Sequence, residues 1–118
     1  MHHEEPTAEE FEAWVREALE GLPPELAARV ENVAIEIDEL DPAHPNRLGL
    51  YHGVPLTRRT SGYVWTLPDR ITIYRRALER AYGFDARILR ERTQHVVRHE
   101  LAHHFGISDD RLREIGRY

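Results

Sequence analysis

The segment from Asp85 to Gly106, DARILRERTQHVVRHELAHHFG, constrains the fold more than any other stretch of the chain. Asp85 suits an N-cap, because a short carboxylate accepts from the unpaired amides of a first helical turn. Gly106 suits a stop, because it enters the left-handed conformation that other residues resist. Between them the spacing predicts a helix of roughly twenty residues. Val97, Leu101 and Phe105 fall on one stripe of that helix, and Ile88, His95, His99 and His103 on nearly the opposite one. A helix with two such faces is central, with core on one side and a cleft on the other. At 118 residues the chain fits a single domain, 1–118, so any site has to sit on the core itself.

The remaining elements are shorter. TAEEFEAWVREALEGL opens with a capping box, Thr7 and Glu10, and repeats Phe11, Trp14, Val15, Ala18, Leu19 and Leu22 at helical spacing. Gly21 and the pair Pro23-Pro24 end it, and PELAARV supports a short second helix. VAIEID at 33–38 alternates Val33, Ile35 and Ile37 against polar neighbours and reads as a half-buried strand. From Pro42 to Gly62 the chain reads mostly as loop, with a short strand around LGLYHG. YVWT and ITIY flank LPDR and suggest a hairpin; RRALERAYG then gives a short helix stopped by Gly83. Ser108 can cap a last helix over DDRLREIGRY.

Composition narrows the chemistry. Cysteine is absent, so disulfides and thiolate metal sites are excluded and any metal has to be held by histidine and carboxylate. The net charge of -5 argues against a nucleic-acid partner, which needs concentrated positive surface. Residues 1–20 lack a basic start followed by an apolar run, and no stretch approaches the ~18 apolar residues of a membrane span. A cytoplasmic location is therefore expected.

HELAHHFGISDD, residues 99–110, gathers three histidines, a glutamate and two aspartates around one glycine. Its first five residues fit the pattern H-E-x-x-H, and on a helix His99 and His103 stand one turn apart on one face. Two imidazoles so placed can bind one zinc ion and leave room for a third ligand and a water. Glu100 projects beside the pair, where its carboxylate can take a proton from that water; zinc brings the water's pKa toward ~7. The alternative is a set of satisfied helix histidines with no metal. His95 can hydrogen-bond near the site or simply line the rim of the cleft, and His104 points away from the metal stripe as a packed or surface residue. Tyr51, His52 and Tyr63 are each able to stabilise an oxyanion, and nothing in the sequence chooses among them. Arg58-Arg59 reads as a solvated pair that can also meet a substrate carboxylate.

HELAHHFGISD, taken with LGLYHGVPL and LPDRITIYRRALE upstream, resembles the small bacterial zincin-like metallopeptidases, the minimal metalloproteases with the extended motif H-E-x-x-H-x-x-G-x-x-D. The resemblance covers roughly residues 8–116. It implies an α+β fold, a small mixed sheet packed with helices, including a central active-site helix that carries both histidines. By position it implies His99, His103 and Asp109 as zinc ligands and Glu100 as the general base. Met1 is the only methionine, so the Met-turn of metzincins has no residue to form it. The acids after His103 are Asp109, Asp110 and Glu114, and all three are candidates for the third ligand. Asp109 also suits a plainer role, stabilising the first turn of the last helix.

The leading expectation is a zinc-dependent hydrolase of peptide bonds, with an extended peptide or protein substrate lying beside an edge strand. Two other readings compete. A non-catalytic binding module can keep the same fold, and a metal-dependent endoribonuclease shares a helix-glycine layout with three histidines. Glu100, Asp109 and the acidic charge argue against the latter.

Overall fold

The computed structural model describes residues 6–30, 33–53 and 69–116. Among the described residues eight elements follow one another: α1 (Ala8–Glu20), α2 (Pro24–Ala27), β1 (Val33–Asp38), β2 (Gly49–His52), β3 (Asp69–Tyr74), α3 (Arg75–Tyr82), α4 (Ala86–Phe105) and α5 (Asp109–Gly116). The chain is thus an α+β protein with a small mixed sheet, as expected.

The strand order is β1-β3-β2. β1 runs parallel to β3, with Ile35 opposite Ile71, and β2 runs antiparallel on the other side, with Tyr51 opposite the same Ile71. The middle strand is covered on both faces: Asp69, Ile71, Thr72, Ile73 and Tyr74 are all buried. β1 shows the alternation read from VAIEID, with Val33, Ile35 and Ile37 half-buried between exposed neighbours. ITIY lies within β3. The other arm of the expected hairpin, YVWT, lies outside the described residues. Asp69 and Arg70 of LPDR belong to β3 rather than to a turn, and the buried Asp69 carboxylate finds partners on two other elements, Tyr51 of β2 and His104 of α4.

α4 is the central helix. Asp85 caps it, its carboxylate accepting from the amides of Arg87 and Ile88. Gly106 ends it at φ 72°, and the amide of Ile107 donates back to the Ala102 carbonyl at 3.0 Å, a Schellman-type closure. The stripe of Val97, Leu101 and Phe105 is buried against Phe11 and Val15 of α1, Leu78 of α3 and Ile71 and Ile73 of β3. Each such side chain contributes about 1.5–3 kcal/mol on burial, so the core fixes the rotation of α4 about its axis. His99 and His103 are thereby turned outward.

α1 lies along α4. Its capping box forms as the sequence predicts, and Phe11, Val15 and Ala18 face inward. The Gln94 side chain donates to the Trp14 carbonyl at 3.0 Å, and Arg90 pairs with Glu17. α3 follows β3 without a loop, and α5 packs through Leu112 after Ser108 accepts from the amide of Arg111. No described helix is long and apolar enough to cross a membrane.

Candidate metal centre

His99, Glu100 and His103 form a metal-ligand cluster among the described residues, with one ligand atom from each lying within 4.8 Å of the others. Helical periodicity accounts for the pairing: residues four apart face the same way, and the two imidazole centroids are 5.0 Å apart with planes at 81°. Glu100 is buried, His99 half-exposed and His103 exposed, so the cluster runs from the interior to the surface.

The Nε2 atoms of His99 and His103 stand 3.4 Å apart. That is long for an N–H···N hydrogen bond, whose heavy atoms usually approach to about 2.7–3.2 Å. It fits two nitrogens on one tetrahedral zinc, which at bond lengths of ~2.0–2.1 Å stand about 3.3–3.4 Å apart. The residues present therefore fit the ion. Glu100 Oε2 lies 3.9 Å from His99 Nε2, beyond direct bonding but close enough to share one small molecule with the pair.

Glu100 is held in place by β2. A Cβ on Gly49 would come within 3.3 Å of Glu100 Cγ and 2.6 Å of Val96 Cγ1, so only a residue without a side chain lets the strand lie this close to α4. Gly49, the first glycine of LGLYHG, therefore seats the strand directly over the glutamate.

The other candidates separate. His95 stacks on the far side of His99, centroids 6.5 Å apart and planes at 24°, outside the convergent group. Asp109 opens α5, directly after the turn at Gly106; its side chain lies outside the described parts. Asp110 and Glu114 are exposed and pair along the helix with Arg113 and Arg111, at 3.3 and 3.1 Å. His52 is exposed at the end of β2. Tyr63, Arg58 and Arg59 lie outside the described residues. The Tyr51 hydroxyl donates to Asp69 Oδ2 at 2.6 Å and so faces inward.

One constellation escapes sequence reasoning. His104 is 1 % exposed, and its Nδ1 lies 2.6 Å from the same Asp69 oxygen. Its Nε2 lies 3.2 Å from the Arg29 carbonyl. A carbonyl only accepts, so Nε2 donates there, while Nδ1 shares a hydrogen bond with Asp69; both ring nitrogens of the buried imidazole are thereby satisfied. A signal was available, since His104 sits three residues after Leu101 on the buried side of the helix, where a polar group requires a partner. The partner, 35 residues away, was not visible.

The sequence profile of the zincin-like metallopeptidases matches residues 25–117, most of the chain. No match is found among curated proteins. The profile spans the sheet, the helix bearing the histidine pair and the turn that follows it, so the chain belongs to the zincin-like metallopeptidase family.

Proposed function

We propose that the protein is a zinc-dependent hydrolase of peptide bonds, working at His99, Glu100 and His103. The observation that carries this reading is the 3.4 Å separation of the two Nε2 atoms with a buried carboxylate at their side. His99 and His103 would hold the ion, with Asp109 as third ligand, a choice supported by the arginine partners that Asp110 and Glu114 already have. The chemistry zinc supplies when bound is Lewis acidity, which brings the pKa of water toward ~7 and polarises a carbonyl.

The chain's own residues do the rest. Glu100 takes a proton from the attacking water and hands it to the departing amine as the carbon–nitrogen bond breaks and the carbon–oxygen bond forms. Its burial keeps bulk water from competing for that proton. β2, the edge strand on this side among the described residues, lies across α4 beside Glu100; an extended peptide running along it would present its backbone to the cluster. The partner is accordingly a peptide or protein.

The test is a peptide library screened at neutral pH with and without a chelator, followed by Glu100→Gln on any cleaved sequence. The variant should keep its zinc and its fold and lose ~10²- to 10⁴-fold in rate. Cleavage that survives in the variant at matched zinc content, or no cleavage by either protein, contradicts the proposal.

A further inference from the structure

Beside the histidine pair, three side chains close a circuit. His103 and His104 are neighbours in sequence and point to different sides of α4: His103 outward, His104 into the core. From His104 the path runs to Asp69 on β3 at 2.6 Å, and from Asp69 to the Tyr51 hydroxyl on β2 at 2.6 Å. It returns to its origin, because the Tyr51 ring lies parallel to the His103 imidazole, planes at 13° and centroids 6.3 Å apart. The same ring meets His104 edge-on at 6.0 Å.

The circuit is anchored where it cannot relax. Asp69 and His104 are 1 % exposed each, and a buried polar group that loses its partner costs far more than a surface one, so the bond from the Tyr51 hydroxyl to Asp69 is held firmly. The backbone closes over this point at Gly53, whose φ is 154°. A Cβ there would lie 2.4 Å from Asp69 Cγ and 2.9 Å from the Tyr51 hydroxyl, so the path of the chain is shaped to cover the bond between them. An exposed imidazole is otherwise free to change rotamer. Here one face of its approach is occupied by a ring whose far end is tied to the core.

We propose that Tyr51, tied by the buried Asp69–His104 pair, is the positioning residue for His103, setting its imidazole so that Nε2 faces that of His99 before any ion binds. The significance of this for metal affinity rests on the reading of His99 and His103 as zinc ligands; the orientation itself does not. Residues that orient metal-binding histidines through a second layer of contacts typically change affinity by 10–100-fold when altered. Tyr51 differs from most of them in acting on the face of the ring rather than on its second nitrogen.

Two variants separate the parts. Tyr51→Phe keeps the ring and removes the tie; Tyr51→Leu removes the ring. Val15→Ala, a core change on α1 away from the circuit, is the control for loss of stability alone. Histidine ring resonances are followed by NMR on the metal-free proteins, and zinc affinity by competition with a chelator. The expected result is a displaced His103 resonance in both tyrosine variants, larger for Leu, with His95 unmoved and the helical circular dichroism retained. Zinc affinity should fall by ~10-fold or more in both and stay at the wild-type value in Val15→Ala. Unmoved His103 resonances overturn the proposal, whatever the zinc result. So does a zinc affinity that falls equally in Val15→Ala. A wild-type protein that binds no zinc but whose His103 resonance follows Tyr51 sinks the metal reading and leaves the positioning role standing.

Discussion

His104 and Asp69 meet 2.6 Å apart with neither side chain reaching solvent, which puts a buried hydrogen-bonded pair at the junction of α4 and β3. Such a pair adds little when intact, because desolvation offsets the attraction, but removing one partner strands the other. His104→Leu and Asp69→Ala should each cost ~1–3 kcal/mol, the penalty of a buried polar group left unsatisfied. The double variant should cost less than the sum, since neither member of the pair is left stranded by loss of the other. Urea unfolding at neutral pH measures all three, and full additivity would contradict the pairing.

Gly49 permits β2 to lie on α4, and Gly49→Ala should cost ~1–3 kcal/mol through overpacking. The nearest obstacle is Val96 Cγ1 at 2.6 Å, on a β-branched side chain that has little rotamer freedom in a helix. Val96→Ala in the same protein should therefore recover part of the loss. Unchanged stability for Gly49→Ala alone would mean the strand sits farther from the helix.

The third ligand is assigned by comparing acids on one helix. Asp109→Ala should weaken zinc affinity ~10-fold or more, whereas Asp110→Ala and Glu114→Ala, each an acid already paired with an arginine, should change it little. A loss confined to Glu114→Ala would move the assignment to the outer turn of α5.

Much of this was legible because local rules and tertiary packing agree. The Thr7–Glu10 box, the Asp85 cap and the Gly106 stop are each fixed by a few neighbouring atoms, and their helices begin and end where those residues stand. The His99–His103 pair follows from helical spacing alone. The Tyr51–Asp69–His104 circuit was not legible, because it joins β2, β3 and α4 across 18 and 35 residues and no local pattern encodes such pairings. Asp69 shows the difficulty well: beside Leu67 and Pro68 it reads as a turn residue, and only its partners explain its burial.

A pH effect distinguishes the α1–α4 contact. The Arg90 hydrogen bond, ahead of the smaller contribution from Gln94, holds the exposed Glu17 carboxyl below its ordinary value of 4.5. A carboxylate depressed in the folded state stabilises fully above its unfolded value and loses that contribution as pH falls through the folded one. Arg90→Ala should thus melt slightly below wild type at neutral pH, with the gap closing under pH 4.5. A gap that widens in acid would contradict the pairing.

The proposed metal centre is one ion held between His99 and His103. Its most direct test is elemental analysis of protein purified without a nickel column, exposed to zinc and then dialysed. Wild type should retain about one zinc per chain, and His99→Ala and His103→Ala, with helical content unchanged, should each lose it. Zinc absent from the wild type, or retained in full by both variants, would contradict the metal centre.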